Sequence, residues 1–199
     1  MRQEQHYLLS RAVLVEGGML AIALLLAFWG KIPLRQMCAP LFPYMLFGLG
    51  LGGILLAVNA LTLHIGSRYF AWCRRIKYLM EHDVAPLFRG FSITGALLLA
   101  LMSGISEEVL FRGVLQAQIG LAGASILFGL AHIWRKDTLI YGVYAALIGV
   151  VLGGVYMLTH NLWTPIIAHV VNNFVAILYC GHTSQCVDQH TEHSKEVEL

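Results

Sequence analysis

The sequence predicts an all-α protein, a polytopic integral membrane helical bundle with about six membrane segments. Composition is the first observation: 58% of the 199 residues are hydrophobic, only 12% are charged, and the mean hydropathy is +0.70. An ordinary globular domain has about 25% charged residues. The second observation is that three long windows contain no charged residue, at 36–67, 113–134 and 138–187. Since about 20 apolar residues cross a bilayer as a helix, these windows accommodate one, one and two crossings.

The net charge and the cysteines exclude two further classes. The formal charge is only +2, too small for the basic surface that binds nucleic acid, so we expect no nucleic-acid partner. The four cysteines form no CxxC pair and lack metal-ligand spacing, which argues against a disulfide framework or a zinc knuckle. We interpret them as unpaired, small apolar residues.

The first two spans are predicted at 12–29 and 42–65. Glu16 interrupts the first, and no small-x-small cleavage site follows it. We therefore interpret this segment as a retained span rather than a signal peptide. For Glu16 itself we expect a snorkelling contact with Arg11 or with the membrane interface, rather than a catalytic role.

The loop at 66–89 sets the predicted orientation. It contains five cationic residues against two acidic ones, and the positive-inside rule makes such a loop cytoplasmic. Two spans precede it, so the amino terminus is also predicted to be cytoplasmic, although this leaves Lys31 and Arg35 on the far side. The small size and short loops suit a bacterial inner membrane.

Three regions follow from this organisation. Residues 1–89 hold two spans and the basic loop, 90–182 hold a membrane core, and 183–199 form a polar C-terminal tail. The apolar segments of the core are predicted at 91–106, 121–133, 139–158 and 163–180. The tail has almost no apolar content after Asp188, so we expect it to be disordered.

Ionisable groups at membrane depth are costly and mark candidate sites. The first group is Glu107-Glu108 with Arg112. In a helix, Glu108 and Arg112 lie four residues apart in the favourable order for an ion pair, while Glu107 lies about 100° around the helix. We expect the pair to neutralise itself and Glu107 to face a cavity, where a carboxylate suits a general base. Two carboxylates at a membrane surface are the alternative.

Two further groups are Phe128 with His132, at the end of an apolar helix, and His169 with Asn173, inside the longest uncharged window. The last two are four residues apart, so their side chains share a helical face. With Glu107, these groups supply a carboxylate, two imidazoles and a carboxamide, which can activate water and hold an oxyanion. The structural alternatives are an interfacial His132 and hydrogen bonds between helices from His169 and Asn173.

Other intramembrane protease types lack their motifs here. The three aspartates lie outside the apolar spans, no HExxH motif is present, and the two serines at 103 and 106 lack a GxSxG pattern.

The ordered trio EExxxR at 107–112, FxxxH at 128–132 and HxxxN at 169–173 resembles the CAAX protease and bacteriocin-processing (CPBP, Abi) family. These are glutamic intramembrane proteases that include the Ras-converting CAAX prenyl proteases. The order and spacing of the motifs match, and Leu162-Trp163-Thr164-Pro165 is also similar to the family. The resemblance implies a hydrolase, an intramembrane endopeptidase with a four-helix catalytic core within 90–182.

The resemblance also implies a role for each residue. Glu107, assisted by His132, would deprotonate the water that attacks the scissile carbonyl. His169 and Asn173 would donate hydrogen bonds to the oxyanion. The implied catalytic residues are Glu107, His132, His169 and Asn173, and the implied supporting residues are Glu108, Arg112 and Phe128.

The implied partners are the lipid bilayer and a membrane-associated peptide or protein, and no cofactor is expected. Zinc held by Glu107, His132 and His169 is a disfavoured alternative, because it gives Asn173 no specific task. Two other classes stay open: a non-catalytic bacteriocin-immunity or scaffold protein, and a small proton-coupled transporter with a relay through Glu107 and His132.

Overall fold

The computed structural model describes residues 2–39 and 42–197, with side chains described for 7–39 and 42–182. These residues form a helical bundle, and none of them lies in a strand. The α-helices are α1 (Arg2–Trp29), α2 (Leu34–Met37), α3 (Phe42–Ala60), α4 (Ser67–Tyr69), α5 (Ala71–Leu79), α6 (Ile93–Glu108), α7 (Gln116–Ala131), α8 (Leu139–Thr159) and α9 (Trp163–Val197). Wider π-helical turns follow α3 at Leu61–Gly66, α5 at Met80–Val84 and α6 at Val109–Leu115, and short 3₁₀ turns lie at Ala85–Phe88 and Lys136–Thr138.

The all-α membrane bundle is confirmed, but the predicted number of about six segments is not. Within the described residues, five helical runs are long and apolar enough to cross a membrane. They are Tyr7–Trp29, Phe42–Tyr69, Ile93–Ala131, Lys136–Thr159 and Trp163–His182. The difference lies in the third run, whose 39 residues contain most of the segment predicted at 91–106 and most of the one predicted at 121–133.

The third run folds back on itself at Gly120. A straight helix of this length would extend about 58 Å, far more than the roughly 30 Å of a hydrocarbon core. Gly120 has φ 73° and ψ 174°, a conformation that glycine adopts readily and other residues avoid. On either side of it, the rings of Phe111 and Phe128 lie 5.0 Å apart. The run is therefore two antiparallel arms: α6, its π-helical extension and the start of α7 up to Gly120 form the first arm, and the rest of α7 forms the second.

Close helix contacts hold the first arm against α9. A Cβ atom added to Gly104 would lie 2.5 Å from the Val170 side chain and 3.2 Å from its backbone nitrogen. On α3, a Cβ atom at Gly48 would lie 2.7 Å from the Thr164 carbonyl oxygen on α9. Small residues thus allow α9 to pack tightly against both α6 and α3, as is common in membrane bundles. This packing aligns α9 with the carboxylates of α6.

The basic loop and the α7–α8 connection lie at the same end of the bundle. Arg75 on α5 contacts Asp137 at 3.2 Å, and Arg135 contacts Asp83 at 2.7 Å. Both ion pairs are solvent-exposed and contribute little free energy each. They nevertheless show that the two loops share one side, so the predicted cytoplasmic side of the loop at 66–89 would also hold the residues that follow His132.

Glu16 differs from the expectation. Its carboxylate contacts the Ser106 hydroxyl on α6, rather than making the predicted contact with Arg11 or the interface. The cause is the packing of α1 on α6, because Ala23 and Ala27 are buried in one cluster with residues 109 and 114 of the π-helical turn. These small side chains bring the two helices together and direct Glu16 towards α6.

Two other expectations concern the tail and the cysteines. α9 continues as a helix to Val197, so the backbone that was predicted to be disordered from Asp188 onward is helical as far as Val197. No proline follows Pro165 to end this helix.

Cys38, Cys73 and Cys180 are free, as expected, whereas the Cys186 side chain lies outside the described side chains.

Candidate active site

The first arm carries Glu107 and Glu108 at mid-length. Glu107 is 14 residues after Ile93 and 13 residues before Gly120, or roughly 20 Å from each along the helix. The π-helical turn begins directly after Glu108, at Val109–Leu115. Such wider turns are common at functional sites because they change which side chains share a face. The two carboxylates therefore lie deep within the bundle.

Glu108 is the centre of a buried ionic cluster. Its Oε1 atom accepts a hydrogen bond from Arg112 Nη1 at 2.8 Å, the i, i+4 pair that the sequence predicts. The same atom lies 2.7 Å from His169 Nδ1 on α9, a contact between residues 61 positions apart that helical periodicity could not predict. Both Glu108 and Arg112 are almost fully buried. The cluster thus fixes α6 to α9 by charge as well as by packing.

Phe128 connects this cluster to the second arm. The Arg112 guanidinium lies over the Phe128 ring, 4.4 Å from its centroid, in cation–π geometry. The Phe128 carbonyl oxygen lies 2.7 Å from His132 Nδ1, and the two rings are 4.6 Å apart. The FxxxH spacing therefore places one aromatic ring under the arginine and orients the imidazole one turn later.

Glu107 faces two imidazoles without touching either. Its Oε2 atom lies 4.0 Å from His132 Nε2 and 4.0 Å from His169 Nε2. These distances are too long for direct hydrogen bonds. Oε2 is buried and has no hydrogen-bond partner among the described residues, a costly state for a carboxylate oxygen. The gap is the place where a small polar molecule would satisfy all three groups.

The hydrogen bonds at Nδ1 determine what each Nε2 can do. A carbonyl oxygen only accepts, so the Nδ1 atom of His132 carries a hydrogen and donates it to Phe128. In the neutral ring, Nε2 of His132 is then an acceptor directed towards Glu107. His169 likewise directs Nδ1 at the Glu108 carboxylate, so its Nε2 donates only when the ring carries both protons.

Asn173 is joined to a chain of polar side chains. Its Nδ2 atom donates to Ser103 Oγ on α6 at 3.0 Å, and its Oδ1 atom accepts from Asn172 at 3.4 Å. Asn172 in turn accepts from Asn59 on α3 at 2.7 Å, and the Tyr144 hydroxyl on α8 donates to Asn59. Four helices therefore contribute to the surroundings of one carboxamide.

A cavity of about 360 Å³ opens beside these residues. Its lining is mostly apolar and comes from α3, α5, α7, α8 and α9. Three predicted catalytic residues, His132, His169 and Asn173, form part of the wall. Glu107 lies behind the two imidazoles and is only 8% exposed. The expectation that Glu107 itself faces the cavity is therefore modified, because the histidines stand between.

Several polar residues at the site escaped the sequence analysis. Asn59 and Tyr144 complete the carboxamide chain, and Ser103 holds Asn173. A signal existed for Asn59, which is the one carboxamide in the apolar span Phe42–Tyr69, because a polar group at that depth needs a partner. Tyr144 and Ser103 gave no comparable signal, since tyrosine and serine are common in membrane helices.

The described residues contain no group of three metal-ligand side chains with metal-site geometry. Zinc with bonds of about 2.0–2.1 Å in a tetrahedral site would place its ligand atoms roughly 3.3 Å apart. The 4.0 Å separations of Glu107 from His132 and His169 are wider than that. The two Nδ1 hydrogen bonds, however, are of the kind that orient metal-bound histidines.

Residues 89–175 match the family model described as type II CAAX prenyl endopeptidase Rce1-like. This part of the chain is similar to that family. The matched segment contains all three motifs, so the resemblance inferred from their order and spacing is confirmed at the level of the family. The family is one of membrane proteases, in agreement with the apolar helices of the fold.

A second comparison extends the similarity to a bacterial protein. The uncharacterized protein YpbD of Bacillus subtilis (strain 168) is 35% identical to this chain over 109 residues, 54% of this chain. The match spans 57% of the length of YpbD, so the chain covers little more than half of that relative. No solved structure matches this chain.

Proposed function

We propose that this protein is an intramembrane endopeptidase that hydrolyses a peptide bond in a peptide or protein delivered within the bilayer. The observation that carries the proposal is the pair of 4.0 Å gaps between the Glu107 carboxylate and the imidazoles of His132 and His169. On one side of that gap is a carboxylate oxygen with no hydrogen-bond partner among the described residues, and on the other side are the two imidazoles, which line the cavity.

Glu107 and His132 activate the water. A water in the gap donates one hydrogen towards Glu107 Oε2 and the other towards His132 Nε2, which is an acceptor in the neutral ring. Glu107 removes a proton as the water oxygen forms a bond to the scissile carbonyl carbon. When the carbon–nitrogen bond breaks, the same proton goes to the leaving nitrogen. The products are a carboxyl terminus and an amine, and Glu107 returns to its starting state.

His169 and Asn173 stabilise the oxyanion that forms during the attack. Asn173 uses one Nδ2 hydrogen for Ser103, and its second hydrogen is available to a ligand in the cavity. His169 donates from Nε2 as an imidazolium, since Nδ1 is engaged by Glu108. The charges of the cluster suit this state, because two carboxylates face only one guanidinium. Each well-placed donor of this type contributes about 3–4 kcal/mol to transition-state stabilisation.

The cavity accounts for the class of substrate. It is lined mainly by apolar side chains and lies beside residues halfway along the first arm. Apolar side chains of a membrane segment can enter such a cavity with no cost of burying polar groups. The scissile bond then reaches the histidines within a water-poor environment, where electrostatic stabilisation is strongest.

The test compares wild type with Glu107→Ala in matched membranes, using mass spectrometry of new protein termini. Glu81→Gln serves as the control, because it removes a carboxylate of the exposed loop, away from the candidate site, that pairs with Lys77 at 3.7 Å. We expect fragments with wild type and the control that disappear with Glu107→Ala. The same fragments in all three membranes, with all proteins folded, would overturn the proposal.

Zinc is a second mechanism that one observation favours. The Nδ1 atoms of His132 and His169 are held by Phe128 and Glu108, as in histidines that bind metal through Nε2. In that case Glu107 would complete the ligand set, and zinc would supply a polarised water. Cleavage that persists after treatment with a zinc chelator supports the metal-free mechanism. Activity lost with the chelator and restored by zinc would replace it.

The remaining proposals concern location and the non-proteolytic classes. We place the protein in a bacterial inner membrane because its small size and short loops suit one, and we place its amino terminus in the cytoplasm on the basis of the basic loop at 66–89. A scaffold or immunity protein would keep its biological effect in Glu107→Ala. A proton-coupled transporter would give pH-dependent flux in liposomes and no cleaved product.

A further inference from the structure

Asparagine is rare in this chain, and its distribution is uneven. The sequence contains four asparagines, at positions 59, 161, 172 and 173. Three of them line the same cavity, although α3 and α9 carry them more than a hundred positions apart. The fourth, Asn161, donates to the Ala39 carbonyl oxygen at the opposite end of the bundle. The three cavity asparagines form a single hydrogen-bonded chain.

The hydrogen bonds of these side chains all run in one direction, because each group donates to the next one. The Tyr144 hydroxyl donates to Asn59 Oδ1, and Asn59 Nδ2 donates to Asn172 Oδ1 at 2.7 Å. Asn172 Nδ2 then donates to Asn173 Oδ1 at 3.4 Å. Since every carboxamide accepts at oxygen and donates at nitrogen, the orientation of one group sets the orientation of the next.

Ser103 fixes the end of the chain. Its hydroxyl donates to the Ala100 carbonyl oxygen at 3.4 Å, so its oxygen accepts from Asn173 Nδ2 at 3.0 Å. A flipped Asn173 would direct Oδ1 at the Ser103 oxygen, and the Ser103 hydroxyl would have to leave the Ala100 carbonyl oxygen to donate to it. It would also direct Nδ2 at the donor nitrogen of Asn172. Both ends of the chain thus keep the Asn173 nitrogen, rather than its oxygen, on the side of α6.

We propose that Asn59 and Tyr144 are positioning residues that hold the Asn173 carboxamide in its donor orientation through Asn172. This inference rests on the proposed function, in which Asn173 donates to the oxyanion. Asn59 lies outside the segment at 89–175 that matches the Rce1-like family. In this proposal, a residue that precedes the matched segment takes part in positioning a side chain of the site within it.

Selective labelling tests the orientation without any substrate. With ¹⁵N placed at the side-chain nitrogen of asparagine, the protein in detergent has only four carboxamide signals. We expect Asn59→Leu and Tyr144→Phe to shift or broaden the Asn173 signal and to leave the Asn161 signal unchanged. The matched control is Tyr156→Phe, which alters a half-buried tyrosine of α8 outside the cavity. An Asn173 signal that is unmoved in both cavity variants would overturn the proposal.

Kinetics on a peptide that spans a cleavage site found in membranes tests the consequence. We expect Asn59→Leu to lower kcat roughly 3- to 10-fold, the usual contribution of one hydrogen bond, with little change in KM. The same substitution in an Asn173→Ala background should cause no further loss, because Asn59 acts through Asn173. An equal loss in both backgrounds would mean a general effect on folding and would overturn the positioning role.

The two measurements separate this inference from the proposed function. If wild type cleaves nothing, or if Asn173→Ala keeps full activity, the proposed role of Asn173 fails. The carboxamide signals still decide whether Asn59 and Tyr144 orient Asn173. If those signals shift while kcat is unchanged, the chain holds Asn173 but does not serve catalysis, and the inference is wrong.

Discussion

The two consecutive carboxylates of α6 have opposite surroundings. Glu108 is fully buried and shares one oxygen between Arg112 and His169, at 2.8 and 2.7 Å. Each carboxylate keeps one buried oxygen, Oε2, without a hydrogen-bond partner among the described residues, but Glu107, one residue earlier, has only two imidazoles at 4.0 Å where Glu108 has direct ionic contacts. A rotation of about 100° around the helix thus separates a closed ion cluster from an open gap. We infer that the closed cluster supplies rigidity, and that the second carboxylate is the one available for the proposed chemistry.

Breaking the closed ion cluster of Glu108 and Arg112 has the largest expected effect on the free energy of unfolding. Arg112→Leu leaves Glu108 buried beside one imidazole, so we expect the free energy of unfolding to fall by about 3–5 kcal/mol. The double variant Glu108→Leu with Arg112→Leu should lose less, because no unpaired charge remains. Unfolding in detergent, followed by far-ultraviolet circular dichroism, measures both. A double variant as unstable as the sum of its two single substitutions would argue against a self-neutralising pair.

Removing the Asn173 carboxamide tests the open gap beside Glu107. Asn173→Ala should lower kcat about 100- to 1,000-fold, the typical loss for one oxyanion donor. The free energy of unfolding should change little in comparison, since Asn173 is partly exposed to the cavity. Cleavage assays on purified protein measure the first quantity, and thermal unfolding the second. A variant that loses stability and activity together would place Asn173 with the structural cluster instead.

A substitution at Gly120, where the third helical run reverses, has a smaller expected effect. Gly120→Ala puts a side chain at φ 73° and ψ 174°, a region that is essentially restricted to glycine, at a cost of roughly 1–3 kcal/mol. We expect a lower unfolding temperature with cleavage intact in the folded fraction. Gly154→Ala is the control, because a Cβ atom there meets nothing within 4 Å and its φ is helical. Equal effects of both substitutions would indicate that the turn does not depend on glycine.

Glu16 gives the smallest expected change. Its contact with Ser106 lies next to Glu107 in sequence but on the α1 side of α6. Glu16→Gln keeps a hydrogen-bonding side chain, and we expect less than about 1 kcal/mol lost in unfolding free energy, with activity retained. A loss of cleavage at constant stability would mean that Glu16 belongs to the reactive side after all.

Local periodicity explains which parts of the site were predictable. The Glu108–Arg112 pair and the Phe128–His132 contact lie within one helical turn, so spacing alone predicts them. The His169–Glu108 contact and the Asn59–Asn172 hydrogen bond depend on how distant helices pack, which no local pattern encodes. Likewise, charge-free windows predicted the spans, but the reversal at Gly120 depends on the backbone conformation of a single glycine. The membrane fold was therefore predictable as a class, and the wall of the cavity was not.

The most direct test compares Glu107→Gln with Glu108→Gln in matched membranes, measuring both cleaved termini and thermal unfolding. Both variants remove one charge and keep nearly the same shape. We predict that Glu107→Gln unfolds like wild type and produces no fragments. We predict that Glu108→Gln unfolds at a lower temperature, because Arg112 loses its ionic partner, and that its folded fraction still produces the fragments but more slowly, because His169 loses one of the two carboxylates that favour its charged form. Fragments produced by folded Glu107→Gln at the wild-type rate would contradict the assignment of Glu107 as the base.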